Sequence, residues 1–568
     1  MSHVGPGGWA DPAGDPGDSY DDYQFQRRRP RLAPADEEVA RRRQIAVAAV
    51  AVLAVLALAS AGYSLLGGDD DGGAVTDFGV GDGGAAAAGP DGTTTTTKET
   101  GGSGGGAGRD LTQVPARATD QFVNPASSGR MWSSEVPGIL TFRGNPTRTY
   151  YGRGDVPKAP KVRWFYPRTG GMCASSSAVD GRAGPAWVVF GANDKALHLR
   201  DATPGPDILP PLPTGDIIKG SVTVDPDGFP LVYTGSRDNY YRVIAIDRGG
   251  AAQELWKLSA TAVSPTLWNN DWDGAGLVLD DFLFEGGENS QFHAVKLNRA
   301  YGADGKVTVA PELVFNAPGW DQQEIDDLAG NRAKEMSIEN SVAMSGDTVY
   351  FANSGGLVSG WDMAPLRTGG TPTRTFRFWT GDDTDASVVI DAEGYLYVAV
   401  EYERGNKRAA EVGQLMKLDP RKPDAPLVWK YDDRGANPAG FWTTPALHDG
   451  VVIAPTNGGE VVGLDQRTGA ELWSFRLPGP TWQSSVVVDD VLIQGDCSGV
   501  LHGYDVSDPR VRPPELWSVP IGGCIESTPS VWKGRIYVGT RAGRFFSLGD
   551  DGELESPTAS RSGGGGGD

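Results

Sequence analysis

Three oxygen-rich stretches of this 568-residue chain carry the residue types that hold a cation or a small polar ligand. Asn269–Gly274 (NNDWDG) crowds amide and carboxylate oxygens together, and Glu288-Asn289-Ser290 and Glu339-Asn340-Ser341 repeat one triplet. Hard cations take about six to eight such oxygens. NNDWDG lacks the spacing and terminal Glu of an EF-hand loop, so alone it reads as a polar turn. Nucleophilic chemistry has little support. His3, His198, His293, His448 and His502 sit in no G-x-S-x-G or HExxH context. Cys173, Cys497 and Cys524 include no vicinal pair and no CxxCH haem site.

What positions these groups is a repeat, clearest from Phe441 to Gly552. Each copy has a Ser/Thr-rich entry, a β-branched run, a two-residue turn (Asp449-Gly450, Asp489-Asp490, Lys533-Gly534), two more short strands and a closing Glu-Leu-Trp, which the third copy lacks. Trp429, Trp473 and Trp517 recur every 44 residues. Four short strands per period of about 40–45 residues predict a propeller blade. One such sheet cannot bury both faces alone, so it stacks on its copies, and the tryptophans are wedges between sheets rather than ligands. The expected fold is all-β, an eight-bladed propeller of four-stranded antiparallel blades, or seven if one weak repeat is misread. The second strands fall at Ala186–Phe190, Leu231–Thr234, Phe282–Glu285, Thr348–Ala352, Tyr395–Val400, Val451–Ala454, Val491–Gln494 and Arg535–Val538. Val162–Tyr166 reads as a strand without a blade. The last blade lacks a strand, so this segment is expected to complete it and close the ring. The insertion Ala317–Ser337 has the pattern of a short helix, and Glu401–Glu411 reads as a charged loop.

Aligning the blades gives first-strand entries at Ser175, Lys219, Gly274, Glu339, Asp385, Thr443, Gln483 and Ser527, around the mouth of a central channel. Lys219, Glu339, Asp385 and Gln483, with Glu288 and Asn289 from a turn on the same face, form the candidate ligand site. The plainer reading is a solvated funnel whose charges offset one another, and no metal ligand set is assigned. The same alignment brings the cysteines to one face. Cys497–Cys524 is the favoured disulfide, with Cys173–Cys524 as the alternative, and a three-thiolate metal site would lack a fourth ligand. His198, His293 and His502 occupy matching third-strand positions, as packing residues of a repeat would.

Ser527–Gly543 (STPSVWKGRIYVGTRAG) and Thr443–Trp473, with LDQRTGAELW, resemble the pyrroloquinoline-quinone-like (PQQ-like) β-propeller repeat. The resemblance covers about Lys161–Gly549. It implies the propeller but not the cofactor, because the family includes quinone-dependent dehydrogenases, membrane-tethered assembly scaffolds and ligand-sensing ectodomains. Its alcohol dehydrogenases use a vicinal cysteine pair over the quinone, calcium-ligating Glu, Asn and Asp, and an Asp base. Without that pair the enzyme reading is the weaker one, and no cofactor is expected. PQQ with calcium is what the enzyme alternative would require.

A net charge of −22 disfavours a nucleic-acid binder, whose surface must neutralise phosphates. Residues 1–43 read as a disordered tail ending in arginine clusters. The uncharged run 44–66 is long enough to cross a bilayer and longer than a signal-peptide core. Arginines before it and Asp69–Asp71 after it place the N-terminus in the cytoplasm and the propeller outside. A flexible linker (67–121), the propeller (122–555) and a Gly-rich tail (556–568) complete the expected order. The function expected is a non-catalytic scaffold in the cell envelope, binding an envelope protein or a small polar ligand. A ligand-sensing ectodomain and a quinone dehydrogenase are the alternatives.

Overall fold

The computed structural model describes residues 120–550, except 168, 173–174, 181–185, 203–206, 329–334 and 435–438. The expected tail, membrane span and C-terminal segment, and all of the linker but its last residues, lie outside the described residues. Among the described residues eight blade sheets follow one another, plus one two-stranded hairpin. Six have four antiparallel strands in sequence order, the first gains Gly138–Ile139 at its inner edge, and the eighth joins Gly152–Arg153, in parallel, and Lys161–Tyr166 to three C-terminal strands. All eight expected second strands are present, from Trp187–Ala192 to Arg535–Thr540. Apolar clusters lie between successive sheets. One joins Val389 and Tyr397 to Val452 and Val462, and another joins Phe190 to Tyr537 and Phe545.

Turn chemistry explains why the repeat folds this way. Asp449-Gly450, Asp489-Asp490 and Lys533-Gly534 all have positive φ, as a two-residue turn matching the twist of its strands requires. In LDQRTGAELW the Asp465 Oδ1 accepts from the Thr468 N–H and hydroxyl at 2.8 Å, which pins the next turn. Gly469 then has φ +74, and a Cβ there would come within 2.6 Å of the Trp429 ring. Trp429 belongs to the preceding blade, and its Nε1 donates to Gln466 O at 3.1 Å. The TG step is therefore the seat of the neighbouring blade's wedge. Trp473 repeats the contact one blade on, donating to Pro509 O at 2.8 Å.

Lys161–Tyr166 pairs antiparallel with Arg544–Gly549 as the outer strand of the eighth blade, so the ring closes as expected. The insertion forms a helix, α1 (Gln322–Leu328), and the charged loop carries a second, α2 (Lys407–Val412). An isolated hairpin of Ala300–Tyr301 and Val307–Thr308 stands outside the third blade.

The segment before the first blade does more than lead into it. Gly138–Arg153 enters the central channel and touches the innermost strand of every blade. Ile139 pairs with Ala178, and Val224 N donates to Leu140 O at 2.7 Å. Met344 N and Ile390 N donate to Pro146 O and Thr147 O at 2.8 and 3.1 Å. Gly152 pairs in parallel with Val531. Two buried arginines complete the circuit. Arg148 donates to Val342 O and Ala275 O, and Arg143 to Thr444 O, Pro445 O and Ser485 O. The channel is thus plugged by the chain's own backbone and two guanidinium groups.

Candidate functional site

Above the plug, a belt of hydroxyls links the first strands. Ser175 N–H donates to Ser221 Oγ, Ala275 to Ser341, Ser341 to Ser387, Ser387 to Thr444, Thr444 to Ser484, and Thr528 to Ser175. This belt explains the Ser/Thr-rich entries and sets a common register. Two residues upstream, on the same side of each strand, stand Lys219, Asp273, Glu339, Asp385, Trp442, Trp482 and Glu526. They ring the channel mouth.

Three of the expected entry positions, Lys219, Glu339 and Asp385, belong to this ring. Gly274 and Gln483 sit one residue beyond Asp273 and Trp482, and a one-residue slip turns a side chain to the other face. Gln483 is therefore corrected to a structural residue. It is fully buried in its own blade, donating to Ser484 O and Ile493 O. Asn289 is corrected likewise: it donates to Ala260 O and accepts from Gln291 N. Sequence reasoning held Asp273 only within NNDWDG, read as a polar turn, and missed Trp442 and Trp482, although the belt serines carried the signal.

Glu288 and Glu339 do meet. One carboxylate oxygen from each, with one from Asp273, lies within 4.8 Å of the others. Lys219 Nζ contacts Asp273 Oδ2 at 3.0 Å, and Arg237 reaches Asp271 Oδ2 at 3.2 Å and Asp273 Oδ2 at 3.8 Å. Asn269 donates to Asp271 Oδ2 at 2.7 Å and to Glu288 Oε2 at 3.0 Å. Ser337 donates to Glu339 Oε1 at 2.7 Å. Asp273 and Glu288 form a carboxyl pair, hydrogen-bonded to each other. Burial, with Asp273 nearby, raises Asp271 to about 7. Burial pushes on Asp273 in the same direction, but Lys219 and Arg237 outweigh it and hold that carboxyl at about 2. Glu288 is pushed well above the carboxylate range by burial and then by Asp273, Glu339 and Asp271.

Across the mouth, Trp442 Nε1 donates to Asp385 Oδ2 at 2.7 Å, so Asp385 stands apart from the carboxylate cluster. Arg404 pairs with Asp383 at 3.6 Å and Glu335 at 3.7 Å, and Arg541 with Glu526 at 3.3 Å. Cys497 and Cys524 form a disulfide between the seventh and eighth blades, and Cys173 lies outside the described residues. His198, His293 and His502 sit opposite Phe190, Glu285 and Gln494 in matching register, all three buried. Burial lowers His293 to about 4. His448, Asp449 and Asp490 gather on hairpin turns of the opposite face.

A family model described as outer membrane protein assembly factor BamB matches residues 383–494 and again 457–555. The overlap is what a repeat produces. Residues 383–555 carry PQQ-like repeats, and the ring has the propeller fold of such proteins. Europium-containing methanol dehydrogenase superposes with a TM-score of 0.52 at 12% identity, covering 72% of this chain and 98% of its own. Quinohemoprotein alcohol dehydrogenase ADHIIG from Pseudomonas putida HK5 gives 0.53 at 13% identity, covering 79% and 84%. BamB from Moraxella catarrhalis gives 0.47 at 14% identity, covering 70% and 99%. The two dehydrogenase likenesses show the fold. No curated protein sequence matches the chain.

A quinone and a cation, which the resemblance to quinone-dependent dehydrogenases implies, fit the mouth unequally. The Asp273–Glu288–Glu339 oxygens suit a divalent ion. The quinone fits less well. Lys219, Arg237, Arg404 and Arg541 are each already paired with a protein carboxylate. The disulfide bridges two blades instead of joining neighbouring residues.

Proposed function

We propose that this PQQ-like repeat protein is a non-catalytic scaffold, tethered to a cell membrane through residues 44–66, with its propeller on the extracytoplasmic side. Its partner is an envelope protein. The observation that carries this reading is the plug. Gly138–Arg153 bonds every blade to one segment and fills the channel, leaving a rigid disc whose two loop faces are the surfaces on offer. The match to a family described as an assembly factor supports the same reading.

In-cell crosslinking of the full-length protein tests it, against a control that keeps residues 1–118 and lacks the propeller. An envelope protein recovered only with the propeller is the expected result. Recovery of the same set from both would refute the reading.

A further inference from the structure

We infer that the channel mouth receives an arginine side chain, presented on a loop of a partner protein, with its guanidinium against Trp442, Trp482 and Asp385. The inference rests on the scaffold reading and names the chemistry by which the partner is recognised. Acidic residues gather on many surfaces without binding anything, so the argument starts from the tryptophans.

The wedge tryptophans Trp429, Trp473 and Trp517 are at most 9% exposed, because they pack between sheets. Trp442 and Trp482 stand at ring positions of consecutive blades and stay only half-buried at the mouth. Blade packing accounts for the first set and not for the second. Trp442 is also fixed in advance. Its backbone N–H donates to Asn457 Oδ1 at 2.7 Å and its Nε1 to Asp385 Oδ2 at 2.7 Å. Asn457 in turn donates to the buried Glu401 at 3.1 Å. A ring held this way spares a ligand part of the ordering cost of binding. Charge decides which ligand. The described ring positions carry four carboxylates, Asp273, Glu339, Asp385 and Glu526, against the one cation Lys219. Behind them Arg237, Arg404 and Arg541 face Asp271, Asp383 and Glu526, so the excess stays negative. A guanidinium is flat, stacks on indole faces and bonds carboxylates through its edge, so it matches both halves of the mouth. A lysine ammonium, a strongly hydrated point charge, matches the aromatic half less well. The described chain begins and ends on the other face. Val123 pairs with Gly346, at the far end of the fourth blade's first strand from Glu339, and Gly549 pairs with Lys161 beside Arg535. The occupant is therefore a second molecule rather than either tail.

The test places a photo-crosslinking residue in the full-length protein in cells, as Trp482→benzoylphenylalanine. Tyr301→benzoylphenylalanine, in the exposed hairpin of the opposite face, is the control. The expected result is a protein captured from position 482 and not from 301, with an arginine in the crosslinked peptide identified by mass spectrometry. Changing that arginine to glutamine should lower the yield at least fivefold. Asp385→Asn, which keeps an acceptor for Trp442 Nε1 and removes only the charge, should do the same. Trp482→Ala, read by chemical crosslinking, should also lower capture fivefold, which keeps the inference testable if Asp385→Asn fails to fold. Asp449→Asn, on the opposite face, should capture as the parent does. A propeller-dependent partner that crosslinks only from the other face, a crosslinked peptide without arginine, or unchanged yield in folded Asp385→Asn or Trp482→Ala would overturn the inference and leave the scaffold reading standing. Recovery of no propeller-dependent partner would overturn both.

Discussion

Replacing Arg148 with methionine should destabilise the propeller by about 3–5 kcal/mol, the range for breaking a buried charged network. The guanidinium is fully buried. Its Nε donates to Val342 O at 2.9 Å, its Nη2 to Ala275 O at 2.8 Å, and its Nη1 to Phe142 O at 2.8 Å and Thr141 Oγ1 at 3.1 Å. Methionine keeps much of the apolar stem and removes every donor. Three carbonyls then lose a partner, at about 1–3 kcal/mol each when nothing replaces it. The simple sum overshoots, because the variant no longer buries a charge. Burial resists that charge strongly enough to hold the Arg148 pKa down at about 9, against the pull of Glu285. At about 2.1 cal/mol/K per residue over roughly 430 ordered residues, the loss corresponds to a fall in Tm of about 3–6 °C. Calorimetry and urea unfolding of parent and variant would measure it. Arg148→Lys should recover little, since one ammonium cannot reach carbonyls of two blades. A change below about 0.5 kcal/mol would refute the idea that the plug arginine joins the third and fourth blades.

Four further outcomes follow from the same geometry. Cys497→Ser should cost about 2–4 kcal/mol from a closed loop with a sequence separation of 27, and adding reductant to the parent should reproduce the loss in unfolding curves. Gly469→Ala should cost at least about 2 kcal/mol, because its Cβ meets the Trp429 ring at a φ of +74, and tryptophan fluorescence should shift with the unfolding midpoint. Ser387→Ala leaves the buried Ser341 N–H without its acceptor at 3.0 Å and should lower stability by about 1–3 kcal/mol in denaturant titrations. Glu324 in α1 is raised to about 8 by burial, against Asn353, which donates to its Oε2. The folded protein therefore keeps a proton that the unfolded chain releases near pH 4.5. This contribution is complete below pH 4.5 and is lost as pH rises to 8. Glu324→Gln should remove that dependence, gaining on the order of 2–5 kcal/mol over the parent at pH 8 relative to pH 4.5 in parallel melts.

The blades were legible because their signals are local. Paired positive-φ turn residues, alternating strands and a tryptophan every 44 residues each act within one repeat. The closing strand was legible by subtraction, since one blade lacked a strand and Val162–Tyr166 lacked a blade. The plug was not, because GILTFRGNPTRTYYGR has no periodicity and its arginines bond to backbone carbonyls, which leave no mark on the sequence. At the mouth, Glu288 and Glu339 were found through their shared triplet. Asp273 was seen only as part of NNDWDG and read as a turn, because the expected entries of the third, sixth, seventh and eighth blades (Gly274, Thr443, Gln483 and Ser527) fell one residue past the ring positions. The same one-residue slip placed Gln483 among the ligands when Trp482 holds that position.

The plug also constrains the order of events during synthesis. It leaves the ribosome before any blade exists, yet its partners reach as far along the chain as Val531, and the strand just after it pairs with Arg544–Gly549. Contacts so distant in sequence carry a large loop-closure cost and form late. Until the last blade emerges, Gly152–Arg153 and Lys161–Tyr166 have no partner strands. A product that stops before the eighth blade, even one with seven intact sheets, would leave Gly152–Arg153 and Lys161–Tyr166 as unpaired strand segments. Such a molecule presents the features of an aggregation-prone intermediate. Synthesis through the eighth blade is thus itself a checkpoint, and a nonsense mutation before Gly549 should be as damaging as an early one.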